Sequence, residues 1–454
     1  MKRSMNQKGF KTLSSDMRTR FGYLWQNELL WLQAAIRSSV AKNAASLYLI
    51  QFANYVLPLI TVPYLVRVLG PTGFGLVAFG QSLIAYFALF VDYGFAFSAT
   101  RKISVNRKDL AEVNRIAFDV WAVKSLLCVL GFLILLIVTT FISKLYEVKT
   151  LLVILYGTIV GNVLFPTWLF QGMERMIMIS VINLAIRGFV VVGIFSLVRQ
   201  PEHYLLYAGL LSFSSIAAGI WGAATAWRMF GLHFNIPSFR GMMQALKEGG
   251  VLFLSQASIS LYTVGNAFIL GMLTNPTIVG YYSAAERIIS AVKGLWGPIT
   301  QGAYPRFSKW ASESKELALK WAKKMLVMAG IIGGIISLTL FLGATLIVKI
   351  ILGSNYEPSI SVIRIMAPLP FLVAASNVFG IQIMLPFGKD KAFMVILFSA
   401  GILNIISALL LTPIWQASGM AGAVLLTESF VTITMLIWLL KSGLNPLTGL
   451  LVQK

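Results

Sequence analysis

Three charged residues lie inside one mostly apolar stretch, 276–310, which is long enough to cross a bilayer. Glu286 and Lys293 are seven residues apart, about two helical turns, so they share one stripe, and Arg287 lies beside it. A charge at the centre of a bilayer costs about 2.5–3.5 kcal/mol on insertion scales, and three charges are not expected to face lipid. This stretch is therefore predicted to line a wet cavity or to contact partner helices.

Further basic residues occur inside apolar sequence, at Lys124, Arg187 and Arg364. Arginine contacts phosphate oxygens in a bidentate manner, and lysine offers a compact positive charge. Together with Arg287 and Lys293, these residues are predicted to line one cationic cavity that binds an anionic substrate. The alternative for each is a buried salt bridge or a side chain that snorkels to the membrane interface.

The acidic residues in apolar sequence are candidates for coupling to an ion. An acid buried in a membrane span can carry a proton, and on this basis Glu286, Asp92 and Glu428 are the candidates. The alternative is that each acid balances a nearby base. Asp119 is five residues from Lys124, which is a poor spacing for an ion pair on one helical face.

Composition places the chain among all-α polytopic membrane proteins. Of 454 residues, 57% are hydrophobic and only 12% are charged, against about 25% charged residues in soluble domains. The net charge of +21 is interpreted as topogenic loop charge, so no nucleic acid is expected as a partner. The single cysteine excludes an intrachain disulfide framework. The chain has only two histidines, both in loops, so neither a metal site nor another cofactor is expected.

About twelve transmembrane helices are predicted, each from an apolar run of roughly 20 residues or more. Gly294, Gly297 and Pro298 predict a break inside the eighth span. The spans are predicted at 44–69, 74–98, 116–142, 150–170, 177–199, 204–228, 247–273, 278–305, 322–348, 359–385, 390–413 and 419–440.

Charge asymmetry between the loops predicts the orientation. Of the 37 Lys and Arg residues, 27 fall in segments on the side of the N-terminus, five in loops on the other side and five within spans. Positive charge favours the cytoplasmic side, so both termini are predicted to be cytoplasmic.

The cytoplasmic connection between the sixth and seventh spans divides the spans into two groups of six, which is the pattern expected of a two-lobe transporter. Residues 20–38 could lie on the inner membrane surface as an amphipathic helix, or they belong to a basic tail. The predicted segments are a basic cytoplasmic extension at 1–42, an N-terminal lobe at 43–229, a cytoplasmic linker at 230–246, a C-terminal lobe at 247–441 and a cytoplasmic tail at 442–454.

The segments between spans do not favour an enzyme. They contain no paired-carboxylate, Ser-His-Asp or metal-ligand pattern, and no glycine-rich phosphate loop with its lysine. No loop on the outer side exceeds about a dozen residues, whereas a membrane polymerase or ligase is expected to carry reactive groups in a sizeable outer loop. A transport function therefore fits these segments better than an enzymatic one, and a scaffold role stays compatible with them.

Several stretches carry a family resemblance, the clearest being NYVLPLITVPYLVRVLGPTGFGLVAFGQ (54–81), LFPTWLFQGMER (164–175), TNPTIVGYYSAAERII (274–289) and QGAYPRFSK (301–309). They resemble the O-antigen-type polysaccharide flippases, a family in the multidrug, oligosaccharidyl-lipid and polysaccharide exporter superfamily. The resemblance covers about residues 42–440 in the same order, whereas the first 40 or so residues depart from it. It implies a fold of two six-helix lobes around a central cavity.

The resemblance implies a flippase for undecaprenyl-diphosphate-linked oligosaccharide repeat units. Such a protein moves its substrate from the cytoplasmic to the periplasmic leaflet of the bacterial inner membrane by alternating access, for surface polysaccharide and lipopolysaccharide synthesis. Its implied partners are the lipid-linked substrate, membrane lipids, and the polysaccharide polymerase with its chain-length regulator. By analogy with the superfamily, a proton or sodium ion is the coupling cation, and the choice stays open.

Two other functions are weighed against this one. A multidrug or small-molecule cation antiporter of the same superfamily is expected to have an acidic, aromatic cavity, which the basic residues within the spans oppose. A membrane polymerase or ligase is less favoured because the outer loops are short.

Overall fold

The computed structural model describes residues 39–446. It describes side chains from Ile60 onward, except at several positions between 251 and 301. The predicted interfacial helix and the end of the predicted tail lie outside the described residues. The described chain divides into two units between Asn54 and Tyr55.

The N-terminal part of the described chain is helical with short connections. The first helix, α1, is Ser39–Asp92 and is interrupted at Gly70, whose φ of 66° and ψ of 176° are not helical. Glycine tolerates this φ because it has no Cβ. Next come α2 (Phe95–Asn106), α3 (Leu110–Phe141), α4 (Ser143–Glu147), α5 (Lys149–Leu164), α6 (Thr167–Gly172), α7 (Met176–Leu197) and α8 (Tyr204–Phe230).

The C-terminal part has more interruptions. Its last helix, α16, is Asp390–Lys441 and is interrupted at Gln416. The preceding helices are α9 (Phe239–Thr263), α10 (Asn266–Leu273), α11 (Pro276–Gly294), α12 (Gly297–Glu313), α13 (Lys315–Ile347), α14 (Ser359–Met366) and α15 (Leu369–Asn377).

The helices confirm an all-α polytopic membrane protein. In the part of the chain that the structure describes, eight helical segments are long and apolar enough to cross a membrane. Two of these segments, Ile60–Asn106 and Asp390–Lys441, each contain residues of two predicted spans, because helix continues through an interruption. The seventh and eighth predicted spans are absent from the eight. Their main helices, α9 and α11, have 25 and 19 residues and are long enough, but polar and charged side chains, such as Glu286, Arg287 and Lys293 of α11, make them less apolar.

The predicted break in the eighth span is confirmed. Helix α11 ends at Gly294 and α12 begins at Gly297, with Pro298 in its first turn. Proline is tolerated there because the first helical N–H groups have no partner within the helix. This break separates Glu286 and Arg287 from the basic segment that follows.

The second part of α1 packs against α11 with almost no space between their backbones. A Cβ at Gly75 or at Gly280 would overlap the backbone of the opposite helix. Close by, the hydroxyl oxygens of Thr72 and Thr277 lie 2.9 Å apart at hydrogen-bonding distance. Two glycines thus allow an approach that sets the position of α11, which carries Arg287.

Helices α5 and α8 form another close pair. A Cβ at Gly161 would overlap the backbone of Ser215, and one at Gly219 would lie 2.5 Å from the carbonyl oxygen of Gly161. The hydroxyl of Ser212 donates to the carbonyl oxygen of Ile154 in the same contact. This packing holds the two helices in a single register.

Two basic side chains link stretches that are far apart in sequence. Lys144 of α4 donates from Nζ to the carbonyl oxygens of Met272 and Thr274, each at 2.8 Å, at the carboxyl end of α10. Arg67 of α1 donates to the carbonyl oxygen of Ile350. Cations stabilise the carboxyl ends of helices, where carbonyl groups have no partner within the helix.

Candidate functional site

A cavity of about 470 Å³ lies among α1, α5, α7, α8 and α11. Its volume falls in the range of about 300–1,000 Å³ that is usual for small-molecule sites. Among the described residues that line it, the charged side chains are Arg187 of α7 and Arg287 of α11. The uncharged polar side chains on its wall are Thr61, Gln81, Thr158, Tyr207, Ser214 and Ser215.

Helical periodicity explains how α8 reaches this cavity. Tyr207, Leu211, Ser214 and Ser215 line it, and their successive spacings of four, three and one place them on one face. Sequence reasoning missed this face and the polar residues of α1 and α5. A polar stripe of this spacing within an apolar span was the signal that could have found it.

Arg287 is held in place by contacts with α1. Its Nη2 donates to Oε1 of Gln81 at 2.7 Å, and its guanidinium carbon lies 5.8 Å from the ring centroid of buried Phe74. An arginine has five N–H donors, and the bond to Gln81 uses one of them. The contacts with Gln81 and Phe74 orient the guanidinium without neutralising its charge.

Arg187 reaches the same cavity from the N-terminal half of the chain. It lies on α7, where Val190, Val191 and Ile194 continue the cavity-facing side at helical spacing. The structure therefore brings together two of the five predicted basic residues, Arg187 and Arg287. They are 100 positions apart in the sequence.

Lys124 is not among the described residues that line the cavity. It is buried, and its Nζ forms a salt bridge with Oδ1 of Asp92 at 3.0 Å. A buried lysine requires such a partner, because removing a charge from water is costly. The salt bridge that sequence reasoning left as an alternative is the observed arrangement, and Asp119 instead accepts a hydrogen bond from the backbone N–H of Ser238 at 2.9 Å.

Lys293 is also absent from the described cavity wall. It is half-buried in the last turn of α11 and interacts electrostatically with Glu286 and Glu428. Glu286 additionally accepts a hydrogen bond at 3.2 Å from the hydroxyl of Tyr282, which is fully buried. Two candidate coupling acids therefore interact electrostatically with the same lysine, and Glu286 also interacts with Arg287. The third acid, Asp92, is engaged by Lys124.

The fifth predicted basic residue, Arg364, is exposed and donates to the hydroxyl of Thr345 at 3.3 Å. It is not among the described residues of the cavity wall. Within the described residues, no group of three or more potential metal ligands comes together.

Comparisons with known proteins bear on the family. A family model described as polysaccharide biosynthesis protein matches residues 40–311. A protein of Escherichia coli (strain K12) is 34% identical over 406 residues, covering 89% of this chain and 98% of the relative. A protein of Shigella dysenteriae is 29% identical over 414 residues, covering 87% and 98%. Both relatives carry the name "Putative O-antigen transporter".

Solved structures bear on the fold. The lipid II flippase MurJ in an inward closed conformation aligns with a TM-score of 0.71 at 13% identity, over 86% of this chain and 87% of MurJ. An inward-facing multidrug resistance transporter of the MATE family aligns with a TM-score of 0.61 at 16% identity, over 86% of this chain and 95% of the transporter. At these identities the similarity concerns the fold alone.

Proposed function

Because this chain belongs to the polysaccharide biosynthesis protein family, we propose that it is a flippase for lipid-linked oligosaccharides of the O-antigen type. It translocates undecaprenyl-diphosphate-linked repeat units from the cytoplasmic to the periplasmic leaflet of the bacterial inner membrane. The observation that carries the proposal is the placement of Arg187 and Arg287 on one cavity. The transporter names of the two relatives support transport over an enzymatic role.

Arg187 and Arg287 bind the diphosphate in this mechanism. Guanidinium groups form bidentate, charge-assisted hydrogen bonds with phosphate oxygens. Arg187 belongs to the predicted N-terminal lobe, and Arg287 belongs to the predicted C-terminal lobe. A ligand that contacts both lobes can bias their relative position, which is what alternating access requires.

The positive-inside distribution of Lys and Arg supports an orientation with both termini in the cytoplasm. In this orientation, the contacts between Gly75 and Gly280 and between Thr72 and Thr277 lie on the periplasmic side. Lys144 reinforces this side by bonding to the end of α10. We propose that these contacts close the periplasmic side and separate when the substrate is released.

Ion coupling is proposed to involve the acids around Lys293. Glu286 and Glu428 both interact with this lysine, so protonation or sodium binding at either acid changes the charge that Lys293 experiences. In this proposal Lys293 contributes to ion coupling through the two acids, and it is not a direct ligand of the substrate in the conformation described. Asp92 is a weaker candidate because it already neutralises Lys124.

The cavity argues against the alternative function of a cation antiporter. Its charged residues, within the described part of the wall, are two arginines, which repel a lipophilic cation. The similarity to a MATE transporter concerns the fold and does not offset this charge. A polymerase and a chain-length regulator are proposed to receive the translocated repeat unit at the periplasmic face.

Complementation tests the proposed function. Cells that lack their own O-antigen flippase are expected to regain surface polysaccharide when they express the wild-type chain. Arg187→Ala or Arg287→Ala should reduce this recovery at least about tenfold, because each removes a charge-assisted contact worth about 1.5–3 kcal/mol.

The readout is surface polymer per unit of membrane-inserted protein, and Thr339→Ala on α13 serves as a control outside the described cavity wall. The recipient strains should cover several repeat-unit structures, because one flippase need not accept all of them. Full recovery with both arginine variants would exclude the proposed diphosphate site. No recovery in any strain by well-inserted wild-type protein would contradict the flippase function itself.

A further inference from the structure

Three serine and threonine hydroxyl groups line the side of the cavity formed by α5 and α8. They belong to Thr158, Ser214 and Ser215, and we refer to these three residues as the hydroxyl shelf. Polar side chains inside a membrane protein are costly unless they find partners, so a group of them on a cavity wall suggests a polar ligand.

The shelf is held on a rigid base. Helices α5 and α8 meet through Gly161 and Gly219, and the backbone of Ser215 lies directly on Gly161. Next to this contact, Gly157 lies against the side chain of Ser212. Because the two helices already touch at Gly161 and Gly219, they cannot move closer together, and the backbone positions of the shelf residues are set before a ligand binds.

Hydroxyls are suited to bind other hydroxyls. A serine or threonine side chain can donate one hydrogen bond and accept others, which matches the alternating donors and acceptors of a sugar. Thr158 uses its own hydrogen in a bond to the carbonyl oxygen of Leu155 at 2.7 Å, so it faces the cavity as an acceptor. The shelf therefore offers both acceptors and rotatable donors.

We propose that the hydroxyl shelf binds the sugar attached directly to the diphosphate, and that this sugar is uncharged. This inference rests on the proposed function, in which Arg187 and Arg287 bind the diphosphate. It makes Thr158, Ser214 and Ser215 residues that determine specificity.

Charge balance supports an uncharged sugar. In a glycosyl polyprenyl diphosphate each phosphate carries a single negative charge, and the two charges match Arg187 and Arg287. A carboxylate on the neighbouring sugar would lie against neutral hydroxyls, and its desolvation would lack a matching cation. A neutral sugar instead exchanges water contacts for hydrogen bonds with the shelf at little cost.

The test measures lipid binding to the purified full-length chain in nanodiscs. The reference probe, called the bare lipid here, is undecaprenyl diphosphate with a methyl ester on its terminal phosphate, so that each phosphate carries a single negative charge as in the glycolipids. The other probes carry a single glucose, galactose, N-acetylglucosamine or glucuronic acid in place of the methyl group. Wild-type protein is expected to bind at least one of the uncharged glycolipids more tightly than the bare lipid. Glucuronic acid should add no affinity.

Variants then separate the shelf from the arginines. The double variant Ser214→Ala with Ser215→Ala, and the single variant Thr158→Val, should each lose about three- to tenfold in affinity for the sugar-bearing lipid while binding to the bare lipid is retained. Arg287→Ala should weaken binding of every lipid. Thr225→Val on α8, outside the described cavity wall, is the matched control, and thermal unfolding confirms that each variant is folded.

The outcomes distinguish this inference from the proposed function. If wild-type protein binds the bare lipid but gains nothing from any uncharged sugar, the shelf assignment is wrong and the diphosphate site stands. The assignment is also wrong if the shelf variants weaken all lipids equally, or if glucuronic acid adds the most affinity. If wild-type protein binds none of the lipids, both the proposed function and the shelf assignment fail.

Discussion

At the scale of single residues, the structure divides the basic residues of the spans into two groups. Lys124 is neutralised by Asp92 in a salt bridge. Arg287 instead bonds to a neutral amide, Gln81, and lies over an aromatic ring, so these contacts leave its charge available to a ligand. Residue type alone does not show whether a basic residue is structural or binds a ligand. The neighbouring side chain decides this, because an acidic neighbour neutralises the charge and a neutral neighbour does not.

The salt bridge gives an asymmetric stability prediction. Asp92→Asn leaves the charge of Lys124, whose side chain is 5% exposed, without a counter-ion. The expected loss is about 2 kcal/mol, less than for a fully buried pair because the side chain of Asp92 is 45% exposed. Lys124→Met should cost less, since the remaining carboxylate can be hydrated.

Thermal unfolding of purified protein in detergent measures these differences. The double variant Asp92→Asn with Lys124→Met should recover most of the stability lost in Asp92→Asn alone, because the uncompensated charge is gone. Additive losses in the double variant would show that the two residues do not stabilise each other.

At the scale of secondary-structure elements, glycines decide which helices can approach closely. Gly75 and Gly280 bring α1 against α11, while Gly161 and Gly219 bring α5 against α8. In a membrane, apolar burial does not drive helices together, because lipid tails are as apolar as the side chains. Close van der Waals packing drives helix association instead, and small residues allow it. These two contacts position one arginine of the cavity and the hydroxyl shelf.

Gly280→Ala tests the contact between α1 and α11. The added methyl group meets backbone rather than a flexible side chain, so the helices must separate, at an expected cost of about 1–3 kcal/mol. The matched control is Gly334→Ala on α13, where a Cβ meets nothing within 4 Å. The control should be neutral or slightly stabilising, because alanine favours helix more than glycine does.

Melting temperature in detergent and transport in cells are the two measurements. Gly280→Ala should lower both more than Gly334→Ala does. Equal behaviour of the two variants would indicate that the close helix contact is unimportant for the stable state.

At the scale of the whole molecule, the cavity draws its arginines from the two predicted lobes. The contacts at Thr72 and Thr277, and those of Lys144 at the end of α10, also join these lobes. A transporter that alternates between states must release such contacts in each cycle, whereas a static scaffold need not.

A disulfide between α1 and α11 tests this requirement. In a background with Cys128→Ala, the pair Thr72→Cys and Thr277→Cys is expected to cross-link readily, because the native hydroxyls lie 2.9 Å apart. Oxidation should abolish transport by keeping the contact closed, and a reductant should restore it. The single-cysteine variants serve as controls, and unchanged transport by fully cross-linked protein would argue against opening at this place.

Much of the fold could be predicted because its causes are local in sequence. Residues that are neighbours in sequence determine the apolar runs of span length, the break at Gly294–Gly297 and the distribution of loop charge. The family resemblance likewise follows from linear motifs. The predicted boundary between the first two spans, 44–69 and 74–98, coincides with the interruption at Gly70, although the sequence did not indicate that helix resumes directly after this residue.

The sequence by itself determined that this is a helical membrane protein of a polysaccharide-related family with basic residues inside its spans. Only the tertiary structure decided which of these basic residues line the cavity. Lys124 pairs with Asp92, whereas Arg187 and Arg287, 100 positions apart in the sequence, line the same cavity. The physical reason is that helix periodicity determines on which face of its helix a residue lies, but it does not determine which other helix packs against that face. The neighbour depends on contacts such as Gly75 with Gly280, which form only when distant helices pack.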